Sequence, residues 1–284
     1  MSPSRPEIMQ EKVRSDSSDR ASISNDLKDA PYYRAVDREL EVFEHAFKNR
    51  LPLLLKGPTG TGKSRLVEYM AHRLGRPLIN VSCHEETSAV DLIGRYLIAG
   101  GETVWQDGPM TRAVREGAIL YLDEIAEARP DTLVAIHSLT DHRRSLFVER
   151  KNESLEAPDS FMLVASFNPG YQRGSRELKP STRQRFVSIG FGYPNADVER
   201  EIVTGETGFE GSKLNALIKL AQQIRKAPDL PLSETLSTRL LVDAARLMQS
   251  GLSPRLACRV AIAEPLTDDE DTLRALTDVI AMQF

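Results

Sequence analysis

Short unbroken apolar runs alternate along the chain with stretches in which apolar residues return every three or four positions. Leu53-Leu54-Leu55, Leu78 to Val81, Ala118 to Leu122, Phe161 to Phe167 and Val187 to Phe191 read as strands, the longest runs as strands buried on both faces of a parallel sheet. Helical spacing fills the gaps. Leu40, Phe43 and Phe47 share one face of residues 37–49. Leu66, Val67, Met70, Ala71 and Leu74 follow the first strand, with Gly75 and Pro77 as a stop. A short helix is predicted over 110–116, and another over 130–139 with Leu133, Ile136 and Leu139 inward.

Two stretches break this rhythm. Residues 91–98 and 103–106 flank Ala99-Gly100-Gly101-Glu102 and predict an exposed β-hairpin, in which Trp105 either packs underneath or offers a contact. Leu146-Phe147-Val148 leads into a second hairpin or loop across 149–159. The polar, basic turn Thr140-Asp141-His142-Arg143-Arg144 just before it either bears on a neighbouring subunit or is solvated.

From Tyr193-Pro194 onward the pattern is helical only, over about 197–204, 212–226, 237–250, 253–264 and 269–284. Ser237 and Gly251 read as cap and stop of the third helix, and Ser253-Pro254 opens the fourth. The fold class is therefore α/β: a nucleotide-binding domain over 31–193 on a parallel five-stranded sheet with inserted hairpins, then a small all-α lid domain over 194–284. Residues 1–30 are rich in serine and scattered charge, too poor in apolar residues for a core, and are expected to be a disordered tail.

Composition narrows the class. No run of about 18 apolar residues exists, so no membrane insertion is expected, and the N-terminus lacks the basic-then-apolar order of a secretory signal. Two cysteines, Cys83 and Cys258, exclude a disulfide framework, and the adjacent Cys83-His84 has no matching pair for zinc. A net charge of -4 gives no overall drive toward nucleic acid. A cytoplasmic enzyme is expected.

The chemistry starts at Gly57-Pro58-Thr59-Gly60-Thr61-Gly62-Lys63-Ser64, which fits G-x-x-x-x-G-K-[ST] between a strand and a helix. Glycines let the backbone turn its N–H groups around phosphate oxygens, Lys63 reaches the terminal phosphates, and the Ser64 hydroxyl serves Mg²⁺. ATP and Mg²⁺ are thus the expected ligands. Ala118 to Leu122 ends in Asp123-Glu124, carboxylates delivered to the sheet edge where ligands of α/β folds gather. Asp123 is assigned to Mg²⁺ and Glu124 to polarising the attacking water. Asn168, at the tip of the 161–167 strand, is assigned to the terminal phosphate or that water. Arg183 and Arg185, before the last strand, cannot easily fold back onto their own nucleotide and are candidates for an arginine finger acting on an adjacent subunit, Arg183 favoured. Arg239, in the first turn of its helix, is placed to reach the phosphates when the helical bundle closes, with Arg255 as rival.

Together these features resemble an AAA+ ATPase of the MoxR branch, from about Tyr32 to the C-terminus. Within it, Tyr32-Tyr-Arg, Asp91-Leu-Ile-Gly-Arg-Tyr, Gly100-Gly-Glu-Thr, Leu139-Thr-Asp-His-Arg-Arg, Asn168-Pro-Gly-Tyr-Gln, Lys179-Pro-Ser-Thr-Arg-Gln-Arg-Phe, Ser237-Thr-Arg-Leu-Leu and Pro265-Leu-Thr-Asp-Asp are similar to the CbbQ/NorQ/GpvN group. That resemblance implies a homo-oligomeric ring, usually a hexamer, working with an adaptor that carries a von Willebrand factor A domain. It implies a client as well: Rubisco, freed of inhibitory sugar phosphates, or nitric-oxide reductase, whose metal centre is matured. The 179–186 wording is closer to the Rubisco side. A DNA-acting AAA+ motor and a non-hydrolysing ATP-gated scaffold are the contrasting classes; the first calls for a basic surface or an added helix-turn-helix, neither of which is evident.

Overall fold

A computed structural model gives the fold for residues 30–169, 178–227, 232 and 234–284. Residues 1–29, which carry the expected tail, and Gly170, Tyr171 and Gln172 of the Asn-Pro-Gly-Tyr-Gln stretch lie outside the described residues.

The strands in chain order are β1 (Leu53–Lys56), β2 (Leu78–Ser82), β3 (Gly94–Ala99), β4 (Glu102–Asp107), β5 (Ile119–Asp123), β6 (Ser145–Val148), β7 (Glu153–Glu156), β8 (Met162–Phe167) and β9 (Val187–Gly190). Five of them form one sheet in the order β2-β5-β8-β1-β9, every neighbouring pair parallel. Alternation along the strands divides two cores. Leu54, Leu120, Leu122, Leu163 and Ala165 face one side, with Met110 and Ile136. Leu53, Leu55, Ile119, Tyr121 and Val164 face the other, with Phe43, Leu66 and Met70. Each fully buried leucine or isoleucine contributes about 1.5–3 kcal/mol, and apolar runs rather than alternating ones specify the central strands β1, β5 and β8.

The helices around the sheet are α1 (Glu39–Lys48), α2 (Lys63–Arg73), α3 (Ala89–Ile93), α4 (Pro109–Glu116), α5 (Pro130–Ala135) and α6 (Pro180–Arg183). After β9 the chain is helical: α7 (Ala196–Thr207), α8 (Ser212–Lys226), α9 (Thr238–Gln249), α10 (Pro254–Cys258), α11 (Glu264–Leu266) and α12 (Glu270–Gln283). These enclose a separate cluster that includes Val203, Leu217, Leu241, Ile262 and Leu276. No helix among the described residues is long and apolar enough to cross a membrane.

Both hairpins form, β3 with β4 and β6 with β7. Trp105 lies between the two alternatives set by the sequence: half-buried against the core, its indole Nε1 donates to Asp107 Oδ1 at 2.6 Å, and its ring meets Tyr96 edge-on at 5.0 Å. The first hairpin is shorter than expected. Asp91 to Ile93 are helical because Ser88 caps them: its hydroxyl accepts from the Asp91 N–H while the Asp91 carboxylate accepts from the Ser88 N–H. The strand begins at Gly94, whose φ of 133° and close approach to the Gln106 carbonyl leave no room for a side chain.

Two helices expected to be continuous are not. Residues 130–139 form α5 and then a 3₁₀ turn, His137–Leu139, while Ile136 and Leu139 stay buried. Residues 253–264 split into α10, a π turn at Arg259–Ala263 and α11. Ser237 and Ser253 occupy N-cap positions, yet neither side chain accepts a cap hydrogen bond.

Candidate functional site

Parallel strands put their C-terminal ends at one edge, and register does the rest: Lys56 pairs with Phe167, and Ser82 with Asp123. The phosphate-loop sequence leaves β1 at that edge. Gly57, Gly60 and Gly62 take φ values of 155°, 71° and 92°. A Cβ on Gly57 would stand 2.4 Å from the Phe191 carbonyl oxygen, and one on Gly60 2.5 Å from Ser237 Cβ, so the loop is pressed between β9 and the helical bundle. Gly62 then opens α2, whose positive end faces the loop. Thr61 Oγ1 donates to the Pro58 carbonyl at 2.8 Å, bracing the turn.

Lys63 Nζ donates to the Gly57 and Pro58 carbonyls at 2.7 and 2.8 Å. Burial pushes its ammonium below the usual lysine range, against the opposing pull of Asp123 and Glu124. Ser64 Oγ donates to Asp123 Oδ2 at 3.2 Å and stands equally far from the Tyr121 hydroxyl. The other oxygen, Asp123 Oδ1, accepts from Tyr121 at 2.7 Å and from Ser166. A hydroxyl and a carboxylate converging in this way are hard oxygen donors of the kind Mg²⁺ takes, so the donor set fits that ion.

Glu124 is the one backbone outlier at the site. It adopts φ 55°, ψ 45°, a left-handed conformation rare for a residue with a side chain, and its N–H donates to Ser166 Oγ at 3.0 Å. Desolvation, followed by the charge of Asp123, pushes its carboxyl above the ordinary glutamate range. Asn168 Nδ2 reaches Thr59 Oγ1 at 3.4 Å, while Asn168 Oδ1 is buried without a hydrogen-bond partner, an acceptor left for another donor.

A cavity of about 580 Å³ gathers Thr59 to Ser64, Asp123, Glu124 and Arg239. Gly57 and Pro58 sit behind Lys63, and Asn168 touches the loop from the next strand. Arg183, Arg185 and Arg255 do not line the cavity. Arg255 instead donates to the Ala281 carbonyl at 3.3 Å.

Sequence reasoning missed several residues in the cavity and directly behind it. Ser166 ties both carboxylate-bearing positions together, and its signal was legible as the one polar side chain inside Phe161 to Phe167. Glu206 and Arg246 also line the cavity, paired at 3.7 Å, with Arg65 on Glu206 at 3.2 Å. Nothing in the sequence pattern marks these three. Tyr33 and Val36 close the same cavity just before α1.

Residues 52–186 match the AAA domain of the dynein-related subfamily, and residues 199–283 match the CbbQ/NirQ/NorQ C-terminal family. The chain is 56% identical over 255 residues to the denitrification regulatory protein NirQ of Pseudomonas aeruginosa, covering 89% of this chain and 98% of that protein. It is 54% identical over 260 residues to NorQ of Paracoccus denitrificans, covering 92% and 96%. It is 51% identical over 250 residues to CbbQ of Hydrogenophilus thermoluteolus, covering 88% and 94%. Among solved structures, a variant of Thermotoga maritima RuvB shares the fold at TM-score 0.53 and 14% identity, covering 86% of this chain and 69% of that one. With two family models spanning most of its length and relatives above half identity over about nine-tenths of it, the chain belongs to the CbbQ/NirQ/NorQ family of AAA+ ATPases.

Proposed function

We propose that this protein is a MoxR-type, Mg²⁺-dependent ATPase motor that works in the cytoplasm as a homo-oligomeric ring, a hexamer, and remodels a client protein through an adaptor bearing a von Willebrand factor A domain. The observation that carries the reading is the convergence of Lys63, Ser64, Asp123 and Glu124 on one cavity capped by Arg239. Two units divide the work, the α/β domain over 31–193 and the helical lid over 194–284.

In this mechanism Gly57 to Gly62 surround the phosphates with backbone N–H groups, and Lys63 leaves its loop carbonyls for the terminal phosphates. Ser64 and Asp123 would hold Mg²⁺, which would supply positive charge against the phosphate oxygens. Glu124 takes the proton of the attacking water, a task its raised pKa suits, and Asn168 Oδ1 orients that water. Arg239 reports the terminal phosphate to the lid. Arg183 or Arg185 of the adjacent protomer offsets transition-state charge, consistent with neither lining its own cavity. The lid then changes angle and the hairpins β3–β4 and β6–β7 move with it.

For the client, the 179–186 wording favours Rubisco, with release of inhibitory sugar phosphates. Maturation of nitric-oxide reductase is the second reading, supported by identities of 56% to Pseudomonas aeruginosa NirQ and 54% to NorQ against 51% to CbbQ. Phosphate release by the assembled protein tests the ATPase reading, with loss in Lys63→Ala expected. Co-purification with the adaptor, then assay of sugar-phosphate-inhibited Rubisco against nitric-oxide reductase lacking its metal, separates the clients. Activity recovered with neither, or salt-sensitive ATP-dependent DNA binding instead, contradicts the motor as described.

A further inference from the structure

The Leu139-Thr-Asp-His-Arg-Arg stretch has no part in the chemistry above, yet it contacts one of the two candidate finger arginines. Asp141 accepts from the Arg143 backbone N–H at 3.0 Å and from Arg143 Nε and a terminal nitrogen, the latter at 2.6 Å. The same Oδ2 lies 3.6 Å from a terminal nitrogen of Arg185. That nitrogen also donates to the His137 carbonyl at 3.4 Å. The Arg185 side chain is 33% exposed and that of Asp141 19%, so the pair stands at the rim of the fold rather than in open solvent. Phe186, the next residue, packs against the core and fixes the backbone there.

Arg183 is placed differently. It closes α6, is exposed, and its side chain has no hydrogen bond or ion pair among the described residues. A free arginine gives up its rotamer freedom when it engages a phosphate, whereas one already held gives up less. The division of Asp141 matters as well. A carboxylate committed wholly to Arg185 would neutralise the charge that arginine has to deliver. Here Arg143 takes the short bonds and Arg185 keeps only the long contact, so it is aimed without being neutralised.

We propose that Asp141 is a positioning residue: sharing its carboxylate with Arg143, it aims Arg185, rather than Arg183, at the nucleotide of the adjacent protomer. The proposal rests on the reading of a nucleotide shared between protomers. Steady-state ATP hydrolysis by the assembled full chain tests it, with thermal melting and particle mass measured on each variant. Arg185→Ala is expected to lower kcat by about a thousandfold. Asp141→Asn is expected to lower kcat by about tenfold to a hundredfold, with KM within about twofold of the parent. It should add nothing to Arg185→Ala, and Asp141→Glu should recover part of the loss with melting and mass unchanged. Additive losses, parental kcat in Asp141→Asn and Asp141→Glu, or a larger loss from Arg183→Ala than from Arg185→Ala overturns it. Lys63→Ala inactive alongside a parental Asp141→Asn overturns this inference alone; a parent without turnover overturns the ATPase reading and this inference together.

Discussion

Ser64 Oγ and Asp123 Oδ2, 3.2 Å apart, join the first turn of α2 to the end of β5. Tyr121 holds the other Asp123 oxygen at 2.7 Å, so the carboxylate is aimed from both sides before any cation arrives. Asp123→Asn keeps the size and most of the hydrogen bonding but removes the charge. The Mg²⁺ concentration giving half-maximal ATP turnover is expected to rise by at least about tenfold, with melting retained. An unchanged Mg²⁺ titration would remove Asp123 from the metal site.

Glu124 carries a pH signature. Desolvation and the charge of Asp123 raise its folded-state pKa above the unfolded one. Such a carboxyl adds stability below its unfolded pKa, and that contribution is lost as pH rises through the folded value. At neutral pH its ionised form is therefore a cost, and Glu124→Gln should melt above the parent there. The gain should vanish below the ordinary glutamate range. A melting difference that stays constant across pH counts against this assignment.

Ser166 is completely buried, donating to Asp123 and accepting the Glu124 N–H. Ser166→Ala leaves both partners short of a bond. Denaturant unfolding should show a loss of about 1–3 kcal/mol, with a fall in kcat that exceeds any change in KM. A variant with parental kcat would make Ser166 a packing residue only.

In the helical bundle, Glu199 has no exposed side-chain surface and meets Arg225 through two bonds of 2.7 and 2.8 Å. Thr238 donates to Glu199 at 2.7 Å, and the Arg225 guanidinium lies 4.5 Å over the Tyr193 ring, whose hydroxyl donates to the Thr59 carbonyl at 3.2 Å. Removing one partner leaves a buried, uncompensated charge, so Glu199→Ala should cost about 3–5 kcal/mol in denaturant unfolding. A cost under about 1 kcal/mol would show that the site relaxes or hydrates freely.

Where burial decides structure, the sequence was readable. The central strands β5, β8 and β1 are near-continuous apolar runs, because a strand covered on both faces needs apolar residues at nearly every position, whereas the edge strands β2 and β9 admit Asn80, Ser82 and Ser188. The phosphate loop was legible because Gly57, Gly60 and Gly62 sit at angles or in clefts that leave no room for a side chain. Local capping was not: Asp91 to Ile93 carry an apolar β-like pattern, and the Ser88 capping box overrides it. Long-range ion pairs such as Arg65 with Glu206 leave no periodic trace, since their partners are brought together only by the fold. Nor does a sequence show that Glu124 sits in a left-handed backbone, as nothing about glutamate asks for it.

The central claim is that Glu124 activates water for ATP hydrolysis in the Lys63–Ser64–Asp123 cavity. Its most direct test pairs equilibrium ATP binding with single-turnover phosphate release in the assembled protein, comparing the parent with Glu124→Gln. Binding retained within about threefold and release slowed by about a hundredfold or more is the expected result. Release at the parental rate in Glu124→Gln would contradict it.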